Sequence, residues 1–200
     1  MEVVERNVYQ KKYFQIEAGE HWIDLGGNIG AFTLLATSKG ATVDVYDADN
    51  EHCELIKMNL ELNGLNANVI NKAVVHDSTK EIYLNIQKNG NTWRNSIVKN
   101  WNGGKKKVDC INIESILNKD VCCKMDIEGA EMLILENLNS IPKKMVYEWS
   151  FDIDDNIDRY RSVLKKMIDN YENVKHNSIK QEHKIWQKGW FPPCRNVYCF

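Results

Sequence analysis

With 200 residues, 43% of them hydrophobic, the chain is long enough for one α/β domain with a full core and too short for two. Its 26 basic and 28 acidic residues give a net charge of −2 and are spread along the chain, which argues against nucleic acid as a partner. No apolar run approaches the roughly 20 residues of a membrane span, and Met1 to Glu5 lacks the charged and apolar parts of a signal peptide. The six cysteines include no C-x-x-C pair, so reduced thiols without a structural metal are expected. These features predict a cytoplasmic protein that does not engage a membrane; nothing in them speaks to oligomeric state.

In chain order, residues 1–20 form a lead-in. His21 to Leu25 reads as a first strand, Ile29 to Ser38 as the helix after it, and Thr42 to Tyr46 as a second strand ending on Asp47. From Asn50, Leu55, Met58 and Leu62 recur at helical spacing until Asn63-Gly64 supplies a C-terminal stop. Val69 to Val75 reads as a third strand and Glu81 to Ile86 as a further one. Lys88 to Gly104 is an Asn- and Gly-rich loop carrying Trp93, Arg94, Asn95, Ser96 and Trp101, and a loop of that length inside a compact domain is usually functional or disordered. The basic run Lys105-Lys106-Lys107 reads as solvated loop. Ile113 to Leu117 is a short helix and Val121 to Met125 a buried strand ending on Asp126. After Gly129 a helix runs to about Leu138. Lys144 to Trp149 is a strand with Glu148 near its end, Tyr160 to Ile168 an amphipathic helix, and Glu172 to His176 and Asn196 to Phe200 the closing strands. Between those two lies a loop with His183, Trp186, Trp190, Phe191 and Pro192-Pro193. Alternation of strands and helices predicts a mostly parallel sheet.

Two motifs carry chemistry. Ile23-Asp24-Leu25-Gly26-Gly27-Asn28-Ile29-Gly30 ends an apolar strand and turns through glycines into a helix, where backbone approaches a ligand closely and unpaired N–H groups gather. A dinucleotide fingerprint would read G-x-G-x-x-G. Here an acid precedes the first glycine by two residues; it would repel a pyrophosphate and attract the ammonium of an amino-acid tail, which favours S-adenosylmethionine. Asp47, with Ala48 after it, stands at the second strand end, where a carboxylate accepts from two ribose hydroxyls. Lys72 and Ala73 offer backbone near an adenine edge. The second motif, Lys124-Met125-Asp126-Ile127-Glu128-Gly129-Ala130-Glu131, gathers acids at a strand-to-helix turn, and the Lys124/Asp126 pair is a candidate for perturbed acid–base behaviour. Among the histidines, His21 and His176 lie on strands, His52 and His76 read as surface positions, and His183 has a possible substrate role.

Together the motifs resemble the FkbM-type methyltransferases. The segment Ala18 to Gly30 is similar to their G-D-x-x-x-D-x-G-A-N-x-G pattern, Lys124 to Glu131 to K-x-D-x-E-G-x-E, and Asn59 to Gly64 to N-x-x-x-N-G. The resemblance spans about Ala18 to Trp149. It departs at Asp47-Ala48, where the family usually has Glu-Pro, and at Gly27, where it usually has Ala. It implies a Rossmann-like class I methyltransferase fold, a seven-stranded mostly parallel sheet of order 3-2-1-4-5-7-6 with helices on both faces. It also implies O-methylation, commonly of sugars or of polyketide and glycan hydroxyls.

An alcohol needs a base to take its proton as the methyl arrives, an effect worth roughly 10²–10⁴-fold. Asp126 is the first candidate, followed by Glu128 and Glu148, with Lys124 beside them; Asp126 and Glu128 would alternatively hold Mg²⁺ or Mn²⁺. Trp93, Arg94, Asn95, Ser96 and His183 are the candidates for a saccharide or glycoconjugate acceptor, since aromatic faces pack on sugar C–H faces. Three other readings compete: a natural-product methyltransferase, a nucleic-acid methyltransferase, and an inactive cofactor-binding module. The second is disfavoured because Asp126-Ile127-Glu128-Gly129 stands where base amino methylation uses [DNS]-P-P-[YFW]. The short lead-in and a last strand running to Phe200 suggest one domain of a longer polypeptide.

Overall fold

The computed structural model describes Tyr9 and residues 11–88, 94–150, 152–176 and 194–200, and the side chains of Cys194 and Arg195 are left undescribed. Among the described residues ten strands and four α-helices follow in chain order: β1 (His21–Leu25), α1 (Ala31–Ser38), β2 (Thr42–Asp47), α2 (Asn50–Leu62), β3 (Asn68–Asn71), β4 (Ala73–Val75), β5 (Glu81–Gln87), β6 (Asn102–Asn112), β7 (Cys122–Met125), α3 (Glu131–Asn137), β8 (Lys144–Ser150), α4 (Ile157–Asn170), β9 (Val174–Lys175) and β10 (Cys194–Cys199). Ile113–Ser115 adds a 3-10 turn.

Seven strands form one sheet in the order β3-β2-β1-β7-β8-β10-β9. Counted within that sheet alone, this is the expected 3-2-1-4-5-7-6, with β10 antiparallel to both neighbours. Strand alternation sends successive side chains to opposite faces. Trp22, Val43, Val45, Cys122, Val146 and Tyr198 face one way and pack with Phe32 and Ala36 of α1 and Ile56 and Leu60 of α2. Ile23, Leu25, Cys123, Met125, Tyr147 and Trp149 face the other, against Met132 and Leu135 of α3 and Tyr160, Val163 and Met167 of α4. Trp149 stacks on Tyr160 with ring centroids 3.9 Å apart. Each such fully buried apolar side chain contributes roughly 1.5–3 kcal/mol.

The structure corrects three element readings. The run Val69 to Val75 is not one strand: β3 stays on the main sheet, and β4 leaves at Lys72 to join a second, three-stranded sheet of order β4-β6-β5. Lys105, Lys106 and Lys107 lie on β6, paired with β5, rather than in a loop; Lys107 pairs with Glu81, and Lys106 with Asp49 and Glu51. In α2 the buried residues are His52, Cys53, Ile56 and Leu60, while Leu55, Met58 and Leu62 face solvent. Ile56 packs under the glycine loop, and that contact sets which side of the helix turns inward.

Candidate active site

The site forms at the carboxyl ends of β1, β2 and β7, where the chain leaves the sheet on both sides of β1. Gly26 has φ +80°, and a Cβ there would lie 1.8 Å from the Asp126 carbonyl oxygen. The β1 and β7 exits therefore touch backbone to backbone, secured by Asp126 N–H donating to the Leu25 carbonyl at 3.0 Å. Gly27 is excluded from carrying a side chain for another reason: its Cβ would meet Val45 Cγ2 at 2.4 Å and Ile56 Cδ1 at 2.7 Å. Gly30 closes the turn by donating to the Gly27 carbonyl and starts α1.

Beside this loop, Asp47 is 8% exposed and densely hydrogen-bonded. Its Oδ2 accepts from the Asn28 N–H (2.9 Å) and its Oδ1 from the Asp49 N–H (2.8 Å). His52 Nδ1 lies 3.2 and 3.3 Å from the two oxygens. His52 is therefore not a surface residue; it is 5% exposed and its Nε2 is buried without a hydrogen-bond partner. Burial opposes charge on the ring, but the Asp47 hydrogen bond and the charges of Asp47, Asp49 and Glu51 outweigh it, and the pKa of His52 is raised.

Asp24 and Lys124 turn out to be each other's partners. Asp24 is 0% exposed; its Oδ2 accepts from Thr33 Oγ1 at 2.6 Å and its Oδ1 lies 3.1 Å from Lys124 Nζ. Lys124 also donates to the Gly26 carbonyl at 2.6 Å. Burial disfavours its charge, yet Asp24 and Asp126 raise its pKa, so it stays an ammonium. Two sequence readings change accordingly. Asp24 lies behind the loop, paired with Lys124 and outside the cleft lining, and Lys124, expected beside Asp126, instead pairs with Asp24 and braces the loop.

The acids after β7 behave differently from one another. Asp126 Oδ2 accepts a 2.5 Å hydrogen bond from Tyr9, a residue of the lead-in that the sequence reading passed over. Tyr9 packs edge-on against Phe32, and burial together with the charges of Asp126 and Glu148 holds its pKa well above the ordinary phenol value, so it remains a donor. Glu128 has φ +56°, and burial reinforced by Asp126, Glu131 and Glu148 raises its pKa to about 9. Glu131 is fully buried and accepts from the Ile127 and Gly129 N–H groups at 2.7 and 2.8 Å; burial and Asp126 raise it to about 8. It is the brace of the turn. Glu148, on β8, extends the same sheet face as Asp24 and Lys124 and contributes its charge to Tyr9, Lys124 and Glu128.

The segment 94–101 closes the outer side, but its polar side chains are committed to the protein. Ser96 Oγ donates to the Glu128 carbonyl at 2.6 Å, and Asn95 Nδ2 to Asp49 Oδ2 at 2.8 Å. Arg94 pairs with Asp152 and, like Lys99, lies over the Trp101 ring, at 4.9 and 4.8 Å respectively. Arg94, Asn95 and Ser96 thus hold this wall in place. Trp93, His183, Trp186 and Trp190 fall outside the described residues.

These parts enclose a cleft with about 650 Å³ of empty space, partly open to solvent. Gly26, Asn28, Asp47, Ala48, Lys72, Ala73 and Asp126 line it, with His52, Asn95, Ile97 and Glu128 completing the wall; Asp24, Gly27 and Gly30 stand behind. Among the described residues no three His, Cys, Asp or Glu side chains gather to hold a metal ion. Nor is any helix among them long and apolar enough to cross a membrane.

Comparison with known proteins agrees with this architecture. Residues 24–174 match the family model of the methyltransferase FkbM domain. No curated protein matches the chain. Among solved structures, the methyltransferase FkbM of Methylobacillus flagellatus KT is similar at a TM-score of 0.56 and 15% identity, covering 96% of this chain and 46% of that one. A dimethyladenosine transferase from Plasmodium falciparum is similar at a TM-score of 0.53 and 14% identity, covering 99% of this chain and 60% of that one. At such identities the structural likeness speaks for the fold. With the fold, the two motifs and the match over residues 24–174 in agreement, the chain belongs to the FkbM methyltransferase family.

Proposed function

We propose that the cleft binds S-adenosylmethionine and that the protein transfers its methyl group to a hydroxyl of a sugar within a glycan or glycoconjugate. The observation that carries this reading is that one cleft joins the Gly26–Asn28 loop and Asp47 to Asp126 and Glu128, a ligand cradle next to acid–base groups. The residues fit the cofactor: loop backbone at Gly26 carries no side chain, and Asp47 is held in place by two backbone donors at the end of β2. S-adenosylmethionine supplies an electrophilic methyl on a sulfonium.

The protein's own residues supply position and proton transfer. Tyr9 occupies one oxygen of Asp126 and fixes its orientation, leaving Oδ1 to orient an acceptor hydroxyl. Glu128, raised to about 9, is a stronger base than an ordinary carboxylate once ionised, and a cationic ligand nearby lowers its pKa towards the working range by the Coulomb effect that Asp126 uses to raise it. We therefore assign proton removal to Glu128 and orientation to Asp126. A saccharide acceptor is supported by the family resemblance and by a net charge of −2 that offers no footprint for a polyanion.

The cofactor half of the reading is tested by calorimetric titration with S-adenosylhomocysteine. Asp47→Ala should weaken binding about tenfold or more, and unchanged affinity would remove Asp47 from the site.

A further inference from the structure

His52 has a feature that packing does not explain. Its side chain is more than nine-tenths buried, it lines the cleft, and Nε2 has no hydrogen-bond partner. An orphaned buried polar atom costs roughly 1–3 kcal/mol, so a cleft that keeps one at its wall is built to have it met by a ligand. The opposite nitrogen is fully accounted for. Nδ1 lies 3.2 and 3.3 Å from the two Asp47 oxygens, and those oxygens already accept from the Asn28 and Asp49 N–H groups. Asp47 thus fixes the ring plane and makes Nδ1 a donor, so Nε2 is the ring nitrogen left for a ligand to meet.

We propose that His52 contacts the cofactor directly, its Nε2–H donating to a ribose oxygen or ring nitrogen of the adenosine half of S-adenosylmethionine. The inference rests on the cofactor reading above and adds to it a residue, a proton and a pH dependence. Donation from Nε2 while Nδ1–H faces Asp47 requires the imidazolium, and the surroundings favour it. Asp47 from β2 and Asp49 and Glu51 at the start of α2 are all anionic neighbours, and the ring's pKa is raised. Lys106 of β6 partly offsets Asp49 and Glu51 by pairing with both, and Lys72 and Glu128 are the other charged groups lining the cleft. Paired with Asp47, the imidazolium adds little net charge, so it does not repel a sulfonium.

Titration calorimetry with S-adenosylhomocysteine, from pH about 6 to about 8, tests this on the wild type, His52→Gln and His52→Leu. Wild-type affinity should fall about tenfold as pH rises, because the donor is lost with the ring proton. His52→Gln keeps an amide donor that does not titrate and should bind with little pH dependence. His52→Leu should bind about tenfold or more weakly than the wild type at pH about 6, with a melting curve showing that it is folded. If His52→Leu binds as tightly as the wild type at every pH, or if the wild-type slope persists unchanged in His52→Gln, the inference is overturned while the cofactor reading stands. Absence of wild-type binding at any pH overturns both.

Discussion

Lys124 illustrates how one neighbour decides what a charged residue does. Placed two residues before Asp126, it invites reading as the acid's partner. The sheet register instead sets it opposite Asp24 on the adjacent strand, and the two charges meet 3.1 Å apart with exposures of 3% and 0%. Removing one member of a buried pair strands the other, at a cost of about 3–5 kcal/mol. Lys124→Met is therefore expected to lower the unfolding free energy in chemical denaturation by that order, and Lys124→Met combined with Asp24→Asn to recover part of it; equal losses in both variants would show that Asp24 is not what the lysine neutralises. That Asp126 and Glu128 lie together at the cleft was legible because their motif is local. Tyr9 was not, since it reaches Asp126 across 117 positions and nothing in its own surroundings signals the contact. His52 lay within reach of a geometric argument: it sits in the first turn of α2, the helix that leaves the strand ending on Asp47.

At the scale of elements, what the sequence made legible was what depends on short-range order. The strand-to-helix turns after β1 and β7 follow from their glycines and acids, and the alternating faces of β1, β7 and β8 follow from the pleat. The small sheet did not emerge because Ala73, Val74 and Val75 continue the apolar run of β3 without a break, and their parallel pairing with Cys110, Ile111 and Asn112 is set by chain far away. The inward face of α2 was hidden for a similar reason: Ile56 and Gly27 choose each other. An alanine at Gly27, the residue usual in the family, would clash with Val45 and Ile56. Gly27→Ala should therefore destabilise the fold by about 1–3 kcal/mol in chemical denaturation, and Ile56→Val should recover part of that loss. A neutral Gly27→Ala would mean that this packing relaxes freely.

For the molecule as a whole, the main sheet provides one side of the cleft and the chain between β3 and β7 provides its outer wall. The two are joined through Ser96 on Glu128 and Asn95 on Asp49. Because the chain spans 46% of the FkbM methyltransferase of Methylobacillus flagellatus KT, the acceptor is to be established on the protein itself. The most direct measurement is transfer of a labelled methyl group from S-adenosylmethionine to a panel of saccharides, with RNA, DNA and protein alongside, for the wild type and Glu128→Gln. The account predicts label on a saccharide hydroxyl, a rate that rises with pH as Glu128 ionises, and a loss of about 10²-fold or more in Glu128→Gln at saturating cofactor. Label on nucleic acid or protein with none on any saccharide, or a Glu128→Gln variant as fast as the wild type, would contradict it.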